Sequence, residues 1–383
     1  MYIKRKITKS ILPLIDKFQI ISLMGPRQSG KTTLAKNIFK DYEYKNLEDP
    51  IILLAAKEDP KGFLKTSKKI IVDEAQKFPE LFSYIQVLTD EDKDLKVVLT
   101  GSQNFLLNKN ITQSLAGRVA IFKLLPFSYN EVSNLVESKT DSEIVFNGFY
   151  PRMFQHNIAN APYFENYLQT YIERDVSDLL NVKNVDNFVK FLQIIASSCG
   201  SIVNLTNIGN QLSLSKNTVK EWLNITNRSF ITFELRPYST NIKKQLTKSS
   251  KVYFYDTGLA SYLLGIKSFE DLERSYLWGN LFENFIVSEF KKHTFNSSVL
   301  DDLFFVQNRS KNEIDLVHKK GHQIWDLYEI KAGMSYKKEF IKNVTLFENL
   351  FEGSSKNLIY RGDEEFTIKG TKIKNWKNIL NKF

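Results

Sequence analysis

The octet Gly25-Pro26-Arg27-Gln28-Ser29-Gly30-Lys31-Thr32 constrains this chain more than any other segment. It follows a short apolar run, Gln19 to Met24, and leads into the helical pattern TLAKNIF, so it reads as strand, loop and helix. The spacing G-x-x-x-x-G-K-T lets backbone N–H groups approach phosphate, with the positive end of the helix dipole behind them. Lys31 is then expected to neutralise the β- and γ-phosphates of a nucleoside triphosphate, and Thr32 to ligate Mg²⁺. Gly25, Pro26, Arg27, Gln28, Ser29, Gly30 and Thr33 complete the expected binding loop. A parallel α/β sheet is the scaffold that presents such a loop.

Nucleotide hydrolysis also needs carboxylates, for the metal and for the attacking water. The run Lys69 to Val72 predicts a buried parallel strand, with Asp73 and Glu74 at its C-terminal end, the edge where ligands bind in open α/β sheets. Asp73 is expected to hold Mg²⁺ through water and Glu74 to act as general base. A further strand, Lys96 to Thr100, ends in Gly101-Ser102-Gln103. Ser102, ahead of Thr100, is the candidate γ-phosphate sensor if this strand neighbours that of Asp73. Arg118 precedes the strand VAIFKLL. It either stabilises charge on the transferring phosphoryl group, in its own subunit or in a neighbour of a homo-oligomer, or it forms a structural salt bridge.

The segments GPRQSGKTTL, YKNLEDP, VDEAQKFPELF, VLTGSQ, LAGR, YPRMF and ERDVSDLL together resemble prokaryotic AAA+-type P-loop ATPases that carry a C-terminal domain of unknown function. The resemblance extends over nearly the whole chain. It implies an AAA+-like module over residues 1–155 that converts ATP and water to ADP and phosphate.

Residues 156–182 predict a lid or linker helix, with Phe164, Tyr167, Leu168, Tyr171, Ile172 and Leu179 at helical spacing. Its Glu173-Arg174-Asp175 cluster reads as a solvated or interdomain face. Residues 183–270 predict three helices and then a β-hairpin, the order of a winged helix. The third helix would expose Lys216, Asn217 and Lys220, and the hairpin loop would carry Lys243, Lys244 and Lys248. Between Cys199 and Tyr255 there are eight Lys or Arg and two Glu, so +6 of the net +10 falls there. That concentration fits contact with a DNA backbone, and equally a solvated wing on a protein-interaction module.

Residues 271–383 open with an amphipathic helix from Leu277 to His293 and continue as strands. Period-two geometry places Glu329 and Lys331 on one face of a strand, and an antiparallel hairpin brings Asp315 beside them. The pattern D…E-x-K resembles restriction-endonuclease-like nucleases of the PD-(D/E)xK fold. The resemblance implies that Asp315 and Glu329, with Glu283 from the helix, bind Mg²⁺ or Mn²⁺ while Lys331 orients or deprotonates water. The alternative is an inactive nuclease-like domain in a regulatory ATP switch that binds a protein partner.

Composition narrows the setting. Cys199 is the only cysteine in 383 residues, which excludes an intrachain disulfide and a cysteine metal cluster. No charge-free apolar run approaches the ~20 residues of a membrane-spanning helix, so a cytoplasmic protein without membrane contact is expected. With 53 basic and 43 acidic residues, DNA is the expected polyanionic partner beside ATP.

Overall fold

The computed structural model describes residues 2–101, 115–172, 176, 185–239, 249–300, 302–322 and 324–383. Ser102, Leu179, Lys243, Lys244, Lys248 and the Glu173–Asp175 cluster lie outside the described residues.

The first sheet is built from β1 (Ile20–Met24), β2 (Glu43–Asn46), β3 (Lys69–Asp73), β4 (Lys96–Gly101) and β5 (Val119–Lys123), in the order β2-β3-β4-β1-β5. Every pairing in it is parallel. The three central strands, β1, β3 and β4, read as near-continuous apolar runs because both their faces are covered. Ile20, Ile70, Val72, Val97 and Leu99 enter one core, while Ile21, Leu23, Ile71 and Val98 enter a second on the opposite face. The inserted strand β4 lies between β1 and β3, so Gly101 pairs with Met24 beside the phosphate loop, as the sensor expectation required. The helices α1 (Lys31–Ile38) and α2 (Leu81–Glu91) follow β1 and β3.

Helix α3 (Asn160–Tyr171) buries Tyr163, Phe164, Tyr167, Leu168 and Tyr171, the spacing expected of one helical face. Next come α4 (Val185–Ser197), α5 (Leu205–Leu212) and α6 (Lys216–Arg228). The Ser215 hydroxyl caps α6 by accepting from Thr218 N–H at 3.0 Å. The antiparallel pair β6 (Thr232–Pro237) and β7 (Lys251–Phe254) comes after it, and Asp256 caps α7 (Thr257–Leu263) through Gly258 and Leu259 N–H.

That pair is continuous with the C-terminal sheet. With α8 (Trp278–Asn296), the C-terminal part contributes β8 (Leu303–Gln307), β9 (Glu313–Gly321), β10 (Ile324–Lys331), β11 (Ser355–Tyr360), β12 (Phe366–Ile368) and β13 (Thr371–Asn375). β6 runs parallel to β8, with Arg236 opposite Phe304 and Pro237 opposite Phe305, so one sheet of order β12-β13-β11-β10-β9-β8-β6-β7 crosses the expected boundary at residue 270.

α8 departs from the amphipathic expectation. Its polar Asn284, Ser288, Glu289, Lys291, Lys292 and Thr294 are buried with its apolar residues. A helix enclosed on all sides must satisfy its polar groups internally. Asn284 exchanges hydrogen bonds with the backbone of Phe254 at 2.7 and 2.9 Å, Glu289 accepts from Tyr129 N–H at 2.7 Å, and Lys292 donates to Phe127 O at 2.9 Å. The helix therefore fastens the first unit to the second sheet. Among the described residues no helix is long and apolar enough to cross a membrane.

Candidate functional site

The phosphate loop leaves β1 where Leu124 N–H donates to Met24 O at 2.7 Å. A Cβ on Gly25 would lie 2.0 Å from Leu124 O, so only glycine passes this crossing. Gly30, at φ 91°, turns the chain into α1 in the left-handed region. Gln28 (φ 59°) and Glu74 (φ 54°) hold the same conformation without being glycine, the kind of local strain found at functional sites.

Inside this frame Lys31 is 6% exposed, and its Nζ donates to Gly25 O at 3.0 Å and Pro26 O at 2.8 Å. The Thr32 hydroxyl donates to Asp73 Oδ2 at 2.8 Å, and Thr100 Oγ1 bonds Asp73 Oδ1. Glu74 is half-buried, and Gln76 Nε2 donates to its Oε2. Burial raises the Glu74 carboxyl above its ordinary value, opposed by the positive charge of Lys31. Lys31, Thr32, Asp73 and Glu74 thus meet at the C-terminal edge of the sheet, across β4, whose Thr100 is bound to the carboxylate expected to hold magnesium.

Arg118 is corrected in one respect. β5 runs parallel to β1 with Val119 opposite Ile20 and Lys123 opposite Met24, so Arg118 sits at the N-terminal edge of the sheet, away from the loop. There its guanidinium grips Asp90 at 2.9 and 3.0 Å. Of the alternatives open in the sequence, the geometry excludes a role in its own chain's phosphate site and supplies the salt bridge.

Three features of this site had no signature in the sequence. Arg5 is 6% exposed; it donates to Ser29 O at 2.9 Å and Leu125 O at 2.7 Å, and pairs with Glu131 at 3.1 Å. Only the Ser128-x-x-Glu131 capping box hinted at a fixed Glu131. Tyr44, on the neighbouring strand β2, donates to Asp73 Oδ2 at 2.7 Å. Beside Gly30 and Thr33 lies a cavity of about 620 Å³, with apolar walls that include Ile3, Phe127, Phe154 and Ile158.

The second cluster lies under the other sheet. Asp315 on β9 accepts from Ile330 N–H at 2.8 Å, and Lys331 on β10 reaches Asp315 at 3.4 Å and Glu329 at 2.8 Å. This is the expected D…E-x-K juxtaposition. Glu329 is 2% exposed, and its Oε2 has no hydrogen-bond partner among the described residues. Burial, reinforced by the Asp315 charge, pushes the Glu329 carboxyl up to about 8.

Glu283, expected beside Asp315 and Glu329 as a metal ligand, is engaged by side chains of the chain itself. Glu283 Oε1 accepts from Tyr253 OH at 2.7 Å and pairs with Lys251 Nζ at 3.0 Å, while the same ammonium reaches Glu313 at 2.5 Å. A cation of the chain itself, Lys251, occupies the Glu283 and Glu313 carboxylates. Among the described residues no group of three or more His, Cys, Asp or Glu is placed to hold a metal ion.

Of the DNA-contact candidates, Lys216, Asn217 and Lys220 are exposed on α6. Lys251, counted in the basic excess of this region, is 2% exposed and is spent on internal pairs.

Residues 17–133 match an AAA domain. Residues 138–270 match a domain of unknown function (DUF8612), and residues 278–379 match another (DUF4143). The first match and the loop geometry together support a P-loop ATPase family for the N-terminal part of the chain. The chain is 28% identical over 289 residues to uncharacterised proteins of Mycobacterium bovis and Mycobacterium tuberculosis. Each match covers 72% of this chain and 63% of the relative, so it spans less than two thirds of their length. Among solved structures the chain is similar to a Walker-type ATPase of Pyrococcus abyssi, at 14% identity and a TM-score of 0.46, over 67% of this chain and 94% of that one.

Proposed function

We propose that the chain binds and hydrolyses ATP at the Gly25–Thr32 loop, and that its nucleotide state governs contact with duplex DNA through α6 and the adjoining hairpin. The convergence of Lys31, Thr32, Asp73 and Glu74 at one sheet edge carries the first part. Lys31 exchanges its bonds to Gly25 O and Pro26 O for phosphate oxygens, so its ammonium is bonded in either state. The Thr32 hydroxyl and Asp73 carboxylate, 2.8 Å apart, are oxygen donors of the kind Mg²⁺ takes, and they fit that ion. Held by Thr32 and Asp73, magnesium would neutralise phosphate charge. Glu74 accepts a proton from water as the water oxygen bonds to the γ-phosphorus and the bond to ADP breaks. The cavity beside Gly30 and Thr33, walled by apolar side chains together with Arg5, Lys139 and Glu143, suits the base and ribose.

The DNA part rests on the exposed Lys216, Asn217 and Lys220 of a helix preceded by two others and followed by a hairpin, which is the winged-helix order. A second reading, a regulatory ATP switch that binds a protein partner and carries an inactive nuclease-like domain, is favoured by the internal pairing of Glu283 and Glu313 with Lys251.

ATP turnover measured with and without duplex DNA across a salt series tests both parts. Lys31→Ala is expected to abolish turnover; wild-type rates in that variant refute the site. Lys216→Ala combined with Lys220→Ala is expected to flatten the log–log salt dependence of DNA binding by about 2, at about 0.9 per phosphate contact. Absence of DNA binding by the wild type at low salt transfers the proposal to the switch.

A further inference from the structure

Among the described residues, three hydroxyl groups from three different elements bond the Asp73 carboxylate. Thr32 of α1 donates to Oδ2 at 2.8 Å, Tyr44 of β2 donates to the same oxygen at 2.7 Å, and Thr100 of β4 bonds Oδ1. Thr32 belongs to the phosphate loop, and Thr100 stands opposite Leu23, just before that loop begins. Tyr44 is remote from it, on the edge strand of the sheet. Its Cα is opposite Ile71, two residues short of Asp73 on the same face of β3. The phenol therefore reaches forward along that face by two residues, about 6.6 Å at about 3.3 Å per residue. A serine or threonine hydroxyl at this position would fall short. The ring is itself held in place: it packs against the core that includes Leu34, Ala35 and Ile71, and Lys36 Nζ lies 3.5 Å from its centre.

We propose that Tyr44 is a positioning residue for the Asp73 carboxylate, and that through it this edge strand sets the divalent-metal affinity of the ATP site. The proposal rests on the ATP-site reading above. An aspartate bonded at both oxygens presents its remaining lone pairs in one direction, and such outer partners of a metal ligand are typically worth about 10–100-fold in metal affinity. The Thr32 hydroxyl can offer an oxygen lone pair to a cation while its proton stays on Asp73, so the two donors to Oδ2 are compatible with a bound metal. Without the phenol, Oδ2 is held by Thr32 alone. Tyr44 is neither part of the phosphate loop nor a wall of the cavity beside Gly30. Its influence therefore falls on the metal rather than on the base or the phosphates.

The test uses the full chain, a non-hydrolysed β,γ-imido analogue of ATP, and Mn²⁺ as the probe, followed by the loss of its free-ion paramagnetic resonance signal. Tyr44→Phe keeps the ring and its packing and removes only the hydroxyl. It is expected to raise the Mn²⁺ concentration that half-saturates the analogue complex by about tenfold, with analogue affinity in EDTA kept within about twofold. The Mg²⁺ concentration for half-maximal turnover should rise by a similar factor. Tyr44→Leu, which also loses the ring, should show the same metal loss and in addition a lower melting temperature, separating the hydroxyl from the packing. Two further variants test the underlying reading: Lys31→Ala should lose the analogue in EDTA, and Asp73→Asn should lose Mn²⁺. If neither does, the ATP-site reading falls and the proposal with it. If both do, and a folded Tyr44→Phe binds Mn²⁺ as tightly as the wild type, the proposal alone is overturned. Equal losses of Mn²⁺ and of metal-free analogue in Tyr44→Phe would also overturn it, since the tyrosine would then support the whole site rather than one carboxylate.

Discussion

Arg5 offers the sharpest check on how the phosphate loop is held. Its guanidinium makes three charge-assisted contacts, to Ser29 O, Leu125 O and Glu131, and it stacks 4.7 Å from the centre of the Phe127 ring. The Arg5 and Glu131 side chains are 4% and 0% exposed, so the pair is buried. Breaking a buried pair by removing one partner costs about 3–5 kcal/mol. Glu131 keeps the Lys6 and Ser128 N–H donors at 2.7 and 2.9 Å, which favours the lower end, so Arg5→Ala should lose about 3 kcal/mol. Freeing Ser29 O removes one anchor of the loop, and a lost bond of about 1.4 kcal/mol corresponds to roughly tenfold weaker ATP binding. Arg5→Lys keeps the charge without the planar fork and should fall between the two. Urea unfolding followed by far-ultraviolet circular dichroism measures the first quantity, and calorimetric titration with ATP the second. A loss under about 0.5 kcal/mol with unchanged ATP affinity would refute the view that Arg5 braces the loop.

Two further predictions concern protonation. Glu74 is raised by burial, so the acid limb of ATP turnover is expected at a higher pH than an ordinary glutamate would give, and Glu74→Gln should retain ATP binding while losing on the order of a hundredfold or more in turnover; a pH–rate profile and an ATP titration check both. Glu329 has an ordinary value of 4.5 and is pushed up to about 8, so the folded state binds the extra proton and stability from this group falls as pH rises between those values. Glu329→Gln should remove that slope, so the difference in stability between the two proteins shifts in favour of the variant as pH rises toward 8. Parallel melting curves of the two proteins across this range would count against the assignment.

What was legible in the sequence was what is local. Gly25 to Thr32 announced itself because strand, turn and helix are contiguous, and Asp73 with Glu74 because a β-branched run ends there. The positions of Asp315, Glu329 and Lys331 came from period two and one hairpin. Residues that act from a distance were silent. Arg5 lies 20 residues before the loop, and Tyr44 acquires its role only because β2 pairs with β3. Charge counting misjudged Lys251, because a count along the chain does not separate a lysine facing water from one enclosed by two glutamates. For Arg118 the sequence left phosphate and salt bridge open, and the parallel register of β5 put it at the far edge. The buried polar face of α8 reads as amphipathic in any helical projection, since its partners come from Phe127, Tyr129 and Phe254.

The pairing of β6 with β8 bears on how this protein can be dissected. A fragment beginning near residue 278, where the third family match starts, would lose the strand that covers one side of β8 and the Tyr238 N–H that donates to Phe305 O at 2.7 Å. It would also leave Glu283 and Glu313 without their ammonium. Such a piece would carry an open strand edge, a template for self-association, beside two stranded acids. The unit of inheritance marked by sequence similarity is therefore smaller than the unit that can stand on its own in water, and expression trials should be designed around the latter.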